Sequence, residues 1–259
     1  MKIINYFLLL SVFLGFSQNT IDTKLISSKV INVDKVVGVN SFDTTYYIKD
    51  NIFFQKKQSK ILEYSNVQLG TISSVNTFNP LKINVFYKDF NTVILLDNRL
   101  AEINKIDFNL ISPFREVSHV AAAFDNDLWI FNTNTLQLEL FSYLNNKTKA
   151  ETLPIEGDVL DISSNYNYCW LLTSEYIYTF NYLGSLISKE KNQNFETIHS
   201  SGENIYLLKD NKIYYKVNNQ ANITELNIPE LLISQFFVTN ETLYIYDGKN
   251  LNQYQLIND

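Results

Sequence analysis

The chain has 259 residues, of which 46% are hydrophobic and 19% are charged, a composition that indicates a globular protein and not a disordered one. Its 21 Lys and Arg residues against 27 Asp and Glu residues give a net charge of −6, and no basic cluster is present, which argues against nucleic-acid binding. A chain of this length forms one large domain or two small ones.

The N-terminal residues have the pattern of a secretory signal peptide. Lys2 precedes an apolar run that ends in the small-x-small sequence Gly15-Phe16-Ser17. We therefore predict a signal peptide at residues 1–17 and a mature domain at 18–259, in a protein exported to the periplasm, the outer membrane or the extracellular space. The run is short for a full membrane span, so the sequence favours cleavage and leaves retention as an anchor open.

Beyond this segment, apolar residues alternate or occur in short runs bounded by Asn, Asp, Gly or Lys, which predicts strands and turns. Six segments repeat one unit of polar turn, apolar strand, second turn and second strand. One anchor position in each unit recurs every 36 to 47 residues: Tyr46, Val93, Trp129, Trp170, Tyr206 and Tyr244. A period near forty with four short strands per unit predicts an all-β fold, a single β-propeller of about six four-stranded blades.

The prolines provide an independent test of this register. They lie 13 to 16 residues before their anchors: Pro80, Pro113, Pro154 and Pro229. Because proline cannot donate a hydrogen bond to a strand ladder, we predict that all four lie in the loop that enters the innermost strand of a blade.

The second unit departs from the others. We predict Lys82–Tyr87 as its inner strand and Thr92–Leu96 as its second strand. Val93 stands where the other blades have an aromatic anchor, and the interval before it is the longest, which predicts an enlarged loop at Val67–Pro80. The candidate ligand-binding residues beside this loop are Asn79, Lys82 and Asn84.

The two ends of the chain are predicted to share the last blade. The final unit, from about Leu231 to Ile257, has room for three strands, and the apolar segment Leu25–Val33 can supply the fourth. Pairing of these strands closes the ring and removes sheet edges that otherwise promote aggregation. Propellers of about five or seven blades, or a pair of β-sandwiches, are the alternatives.

The repeat resembles the β-propeller superfamily over nearly the whole mature chain. It lacks the Gly-His and Trp-Asp dipeptides of WD40 blades and the paired glycines of kelch repeats. The third unit, FDNDLWIFNTNTLQLELFSY, is similar to the strand-turn-strand of quinoprotein-type propellers. The resemblance implies the fold, and by analogy with the propeller of the bacterial outer-membrane assembly machinery it implies a non-catalytic scaffold.

Three sequence features can be interpreted as chemical sites. His119 and His199 occupy non-equivalent positions, so we predict channel-lining or core side chains and not a metal pair. The segment Asp125-Asn126-Asp127 has the oxygen atoms of a calcium loop but lacks its glycine and distal glutamate, which predicts a turn. Cys169 is the single cysteine and is predicted to be core. We predict neither a metal nor a cofactor.

Carboxylates near the starts of predicted inner strands are candidate acid–base groups, since a pair roughly 5–10 Å apart hydrolyses glycosidic bonds. The positions nine residues before each anchor include several polar side chains, which predicts a channel lining that binds water or a small ligand. The candidate residues at the channel mouth are Asp158, Asp161, Glu196, His199 and Gln235.

Two functions of different classes follow from this pattern. The sequence favours a non-enzymatic interaction scaffold of the bacterial cell envelope with a protein partner. It leaves open a glycan-binding or glycan-cleaving propeller that uses the channel-mouth carboxylates. Peripheral membrane association is compatible with both functions, and no transmembrane span is predicted in the mature protein.

Overall fold

The computed structural model describes residues 20–218 and 220–257, which form an all-β protein. The first strand is β1 (Ile21–Val30). Blade 1 consists of β2 (Lys35–Val39), β3 (Thr45–Lys49), β4 (Ile52–Lys57) and β5 (Lys60–Tyr64). Blade 2 consists of β6 (Ser74–Asn76), β7 (Ile83–Tyr87), β8 (Thr92–Leu96) and β9 (Glu102–Asp107). Blade 3 consists of β10 (Val117–Ala122), β11 (Asp127–Asn132), β12 (Gln137–Ser142) and β13 (Lys147–Glu151).

The second half of the chain continues the same arrangement. Blade 4 consists of β14 (Val159–Ser164), β15 (Tyr168–Thr173), β16 (Tyr176–Asn181) and β17 (Leu186–Lys191). Blade 5 consists of β18 (Thr197–Ser201), β19 (Asn204–Lys209), β20 (Lys212–Lys216) and β21 (Ile223–Asn227). Blade 6 begins with β22 (Gln235–Thr239), β23 (Thr242–Tyr246) and β24 (Asn250–Ile257). Three short 3₁₀ turns, Val67–Leu69, Lys88–Phe90 and Phe108–Leu110, connect strands.

The alternating direction of the strands gives the molecule two distinct faces. The connections between the first and second strands, and between the third and fourth strands, lie on one face, which we call the turn face. The connections between blades, and between second and third strands, lie on the opposite face, which we call the loop face. The chain therefore enters every inner strand from the loop face.

The hydrophobic core is divided among the interfaces between neighbouring blades. Within the described residues there is one buried cluster for each pair of adjacent blades, and the cluster of blades 3 and 4 contains Trp129, Leu140 and Leu171. The sixth cluster joins blade 6 to blade 1 through Phe237 and Val36. Because each sheet is apolar on both sides in its middle strands, these strands read as continuous apolar runs.

The last blade is completed by the first strand, as predicted. β1 pairs antiparallel with β24 from Asp22 opposite Ile257 to Val30 opposite Asn250. The first two residues of β1 also pair in parallel with β21 of blade 5, which joins blades 5 and 6 into one sheet. The prediction of a shared last blade is therefore confirmed, although the strand that completes it is Ile21–Val30 and not Leu25–Val33.

The predicted register of blade 2 is wrong by one strand. The inner strand is Ser74–Asn76, Ile83–Tyr87 is the second strand, and Thr92–Leu96 is the third. Val93 is therefore not equivalent to the aromatic anchors, which lie in second strands, and the interval at Val67–Pro80 is long because it contains an inner strand. The error has a physical cause, since the inner strand has three residues and no strong apolar signal, whereas both middle strands are fully buried.

The proline prediction is correct for three of the four residues. Pro113, Pro154 and Pro229 precede the inner strands β10, β14 and β22 on the loop face. Pro80 instead lies on the turn face, in the connection 77–82 between β6 and β7. With six residues, this connection is the longest first-to-second-strand connection in the six blades.

A buried polar network fixes the outer part of blade 3. Arg115 Nε lies 2.8 Å from Glu139 Oε2, and both side chains are about 95% buried. Asn132 Nδ2 and Thr148 Oγ1 also donate to Glu139, and Arg115 donates to the carbonyl of Pro113. Although burial alone raises the pKa of Glu139, these hydrogen bonds hold that pKa below its ordinary value.

Candidate functional site

The six inner strands enclose a central channel of about 980 Å³. Its wall carries hydroxyl and amide side chains on most blades, with few charged groups. Three of the predicted site residues line it: Asp161, His199 and Gln235. A concave space of this volume, lined by convergent polar side chains, is the kind of place where proteins bind small ligands.

Asp161 uses its carboxylate to connect blades 4 and 5. The backbone N–H of Ile198, on the inner strand of blade 5, donates to Asp161 Oδ2 at 2.9 Å, and the N–H of Ile162 donates to Oδ1 at 2.9 Å. Burial raises the pKa of Asp161 to about 6, although both backbone N–H groups and Lys35 oppose this shift. Both oxygen atoms of the carboxylate therefore already accept hydrogen bonds from the backbone, and one of these bonds joins the two blades.

Other channel side chains make equivalent contacts between blades. Gln235 Oε1 accepts from the N–H of Val36 at 2.8 Å, which connects blade 6 to blade 1. Ser163 Oγ accepts from the N–H of Ser200 at 2.8 Å, which adds a second bond between blades 4 and 5. Thr239 Oγ1 donates to the carbonyl of Val39 at 2.9 Å. Part of the polar wall thus consists of side chains whose oxygen atoms already connect neighbouring blades.

The two histidines lie in the channel wall on different blades. His119 Nδ1 is 2.9 Å from Ser118 Oγ, and His199 Nε2 is 3.3 Å from the carbonyl of Val238. Burial lowers the pKa of each histidine to about 4, and for His119 the nearby Lys88 charge adds to the effect. Both rings are therefore neutral near pH 7. In residues 20–218 and 220–257, no group of three or more His, Cys, Asp or Glu side chains is placed to hold a metal ion.

Asp158 and Glu196 lie outside the channel lining. Each precedes an inner strand on the loop face, and both side chains are exposed. Glu196 Oε1 accepts a long hydrogen bond of 3.4 Å from the N–H of Asp210 in its own blade. Of the three predicted acid–base carboxylates, the channel therefore contains only Asp161.

Asn79, Lys82 and Asn84 lie together near the turn face, between blades 2 and 3. Asn84 is on the second strand of its blade and not on the predicted inner strand, because the register of blade 2 differs by one strand from the prediction. Asn79 Oδ1 accepts from the N–H of Leu81 and fixes the connection 77–82. Lys82 Nζ reaches blade 3, where it donates to the carbonyl of Asp125 at 2.9 Å and to Asn126 Oδ1 at 2.7 Å.

The segment Asp125-Asn126-Asp127 forms the predicted turn. The N–H of Asp127 donates to the carbonyl of Phe124, and Asp125 has the positive φ of +57° that Asp and Asn tolerate in turns. Lys82 Nζ lies 3.9 Å from the Asp125 carboxylate, and Lys149 Nζ lies 2.8 Å from Asp127 Oδ2. Two ammonium groups thus balance the two carboxylates, an arrangement that disfavours a bound cation.

The turn face carries an exposed aromatic cluster that sequence reasoning missed. The ring centroids of Phe78 and Tyr166 are 4.8 Å apart, those of Phe124 and Tyr166 are 6.3 Å apart, and those of Phe124 and Tyr182 are 6.4 Å apart. Between 41% and 57% of the surface of each residue is exposed. We call Phe78, Phe124, Tyr166 and Tyr182 the aromatic rim, because Phe78 also lines the channel mouth.

A signal for the rim was present in the sequence. All four residues lie in short connections that also contain Asn, Asp, Gly, Ser or Pro, as in TFNP and AFDN. Those neighbours satisfy the turn geometry, whereas a large ring has no role in it. The rings come from blades 2, 3 and 4, so their proximity depends on the ring of blades and not on adjacent sequence.

The comparisons with known proteins concern the fold. No protein-family model matches the chain, and no curated protein does. A catalytically inactive variant of virginiamycin B lyase from Staphylococcus aureus, solved with quinupristin, superposes with a TM-score of 0.59 at 14% identity, over 91% of this chain and 100% of that one. A chain of the mitotic checkpoint complex gives a TM-score of 0.63 at 9% identity, over 100% and 99%. The fold is a β-propeller.

A third similar structure is a bacterial surface protein. PorZ, a component of the type-IX secretion system of Porphyromonas gingivalis, superposes with a TM-score of 0.52 at 10% identity, over 92% of this chain and 39% of PorZ. Identities this low establish the common architecture alone. Within the described residues, no helix has the length and apolar character required to cross a membrane.

Proposed function

We propose that this protein is a non-enzymatic, exported β-propeller that acts as a protein-interaction scaffold in the bacterial cell envelope. The observation that carries the proposal is the aromatic rim. Four large rings from three blades stay exposed on one face, although each could have been replaced by an ordinary polar turn residue.

Exposed aromatic side chains of this kind favour a protein partner. Aromatic residues dominate the energetics of protein interfaces, because each ring buries a large area with few rotatable bonds. The rings of the rim already contact one another edge to face, so little conformational freedom is left to lose on binding. Contiguous exposed apolar patches on folded domains often mark sites of interaction with a partner.

The envelope location rests on the signal-peptide pattern of residues 1–17, which lie outside the described residues. The structural similarity to a surface component of a bacterial secretion system is compatible with this location. Periplasmic, outer-membrane-associated and extracellular sites all satisfy the proposal, and peripheral contact with a membrane does so as well.

The test is affinity purification of the tagged protein from the envelope of its native bacterium. The wild type is compared with the double variant Phe124→Ser/Tyr166→Ser. We expect the variant to recover at most about one-tenth of the specific partner, because loss of interface aromatics commonly costs 2 kcal/mol or more. The matched control is Leu110→Ser/Leu153→Ser, which removes two highly exposed apolar side chains from the loop face.

Two results would overturn the proposal. One is recovery of the bait alone from the wild-type envelope. The other is equal recovery of the partner by the rim variant and the control, with both variants folded as judged by circular dichroism.

The glycan alternative is favoured by one observation, the polar channel. Its volume of about 980 Å³ accommodates a small saccharide, and its hydroxyl and amide groups suit a neutral polyhydroxylated ligand. Since the channel contains only one of the predicted carboxylates, this alternative is a binding function and not hydrolysis. Titration calorimetry with neutral oligosaccharides tests this alternative. A heat of binding that is lost in Gln235→Ala supports glycan binding, whereas the absence of heat with every oligosaccharide contradicts it.

A further inference from the structure

A second, small cavity lies between blades 2 and 3, and residues of the connections that carry Phe78 and Phe124 line part of it. It measures about 10 Å³ and is separate from the channel. Its wall includes Asn84 on β7, Asp127 on β11 and Lys82 on the connection between β6 and β7. Its volume is about that of the space one water molecule requires.

Two buried polar atoms from this wall have no hydrogen-bond partner within the described residues. They are Asn84 Nδ2, a donor, and Asp127 Oδ1, an acceptor. Asn84 is 3% exposed and Asp127 is 6% exposed, so bulk water does not satisfy either atom. The other oxygen of Asp127 is occupied by Lys149. Buried polar groups in folded proteins nearly always have a partner.

We propose that this cavity is a binding site for one water molecule, which accepts from Asn84 Nδ2 and donates to Asp127 Oδ1. The chemistry of the wall selects water over a cation. Asn84, whose unpartnered amide nitrogen is a donor, and Lys82, whose ammonium group is positively charged, both line the cavity, and neither group binds a metal ion. The wall also selects water over an empty cavity, because empty cavities are apolar.

The site supports two of the four connections that carry the rim residues. Phe78 lies on the same connection as Lys82, and Phe124 is adjacent to Asp125, whose carbonyl accepts from Lys82 Nζ. Tyr143 donates to Asn126 Oδ1 at 3.1 Å, so the turn of blade 3 is held from a second side. Lys82 and the water together form what we call the inter-blade clamp. The clamp positions Phe78 and Phe124 for the partner, a role that rests on the proposed function.

A crystal structure at about 1.5 Å tests the water site without any partner. We expect one density peak within hydrogen-bond distance, roughly 2.7–3.2 Å, of both Asn84 Nδ2 and Asp127 Oδ1. An empty cavity overturns the site. A peak with five or more oxygen contacts at about 2.4 Å also overturns it, because that geometry belongs to a cation such as Ca²⁺.

Hydrogen–deuterium exchange tests the clamp, again without a partner. In Lys82→Met we expect exchange of the backbone amides in 77–82 and 123–126 to accelerate at least tenfold. The control is Lys105→Met, which removes an equal charge from an exposed strand position of the same blade. Equal exchange in the two variants overturns the positioning role.

The envelope purification then separates the two proposals. If Lys82→Met recovers several-fold less partner than Lys105→Met, the clamp serves the rim. If the rim variant loses the partner and Lys82→Met keeps it fully, the positioning role is wrong and the proposed function stands. If the rim variant also keeps the partner, the proposed function fails, and the water site is still decided by the crystal structure.

Discussion

At the scale of single residues, the ionisable groups of the channel wall respond to acid in opposite directions. Burial raises the pKa of Asp161 to about 6 from an ordinary value of 3.8, so the folded state binds this proton more tightly than the unfolded state. Burial lowers the pKa of His119 and His199 to about 4 from 6.5, so the folded state binds those protons more weakly. Protonation of Asp161 therefore stabilises the fold, whereas protonation of the histidines destabilises it.

These signs define a pH experiment. As the pH falls from about 6 to 4, we expect the free energy of unfolding of the wild type to decrease, because two histidines outweigh one aspartate. Asp161→Asn removes the opposing contribution, so its stability should fall more steeply over this range. His119→Gln/His199→Gln should show the reverse slope. Urea unfolding at several pH values gives all three slopes, and parallel slopes would contradict the assignment.

The buried Arg115–Glu139 pair provides a second prediction at this scale. Glu139→Gln keeps the shape of the side chain but leaves the Arg115 guanidinium buried without its counter-charge. We expect a loss of roughly 3–5 kcal/mol in the free energy of unfolding, measured by chemical denaturation. Lys189→Met, which removes a partly exposed ion pair with Glu156, is the control and should change stability little. Equal effects of the two substitutions would show that burial of the pair is unimportant.

At the scale of elements, the sequence predicts strands where they alternate or run apolar, and fails where a strand is short and polar. The anchors Tyr46, Trp129 and Trp170 lie in second strands as predicted, because a large buried ring needs the space between blades. The three-residue strand Ser74–Asn76 has no such signal. The sequence therefore assigns the second and third strands of blade 2 as its first and second strands. The sequence also predicts that Asp161 and Gln235 are polar residues of inner strands. It does not predict that their side chains accept hydrogen bonds from the neighbouring blade, because those bonds depend on how the blades are arranged.

The turn of β16 and β17 provides a prediction at this scale. Gly184 has a φ of +87°, and a Cβ there would lie 2.7 Å from the Cβ of Ala150 in blade 3. Gly184→Ala should therefore cost the conformational penalty of about 1–2 kcal/mol and an added steric penalty of about 1–3 kcal/mol. Gly202→Ala is the matched control, because its φ is +60° and its Cβ would meet no atom within 4 Å. Thermal unfolding should separate the two variants by several degrees, and equal melting temperatures would contradict the close approach of blades 3 and 4.

At the scale of the whole molecule, the pairing of β1 with β24 completes the last blade. β1 covers the edge of β24 along eight paired positions and touches β21 on its other side. Without it, two neighbouring blades each expose an unpaired strand, and such edges pair with other chains.

A truncation tests this role. We expect a chain that starts at Ile31 to form concentration-dependent oligomers and to melt at a lower temperature than a chain that starts at Thr20. Light scattering during gel filtration measures the first effect. Addition of a synthetic peptide with the sequence of Ile21–Val30 should restore the monomer, and a truncated chain that stays monomeric without it would show that β1 is dispensable.

The pairing of β1 with β24 also sets the order of events during synthesis. Ser28 Oγ donates to Asn252 Oδ1 across 224 positions of sequence, so β1 stays unpaired with β24 until β24 has been synthesised. Five blades can form while the ribosome is still working, but the sixth cannot. The last blade therefore stays incomplete until β24 has been synthesised, and until then the edge that β1 will cover does not exist.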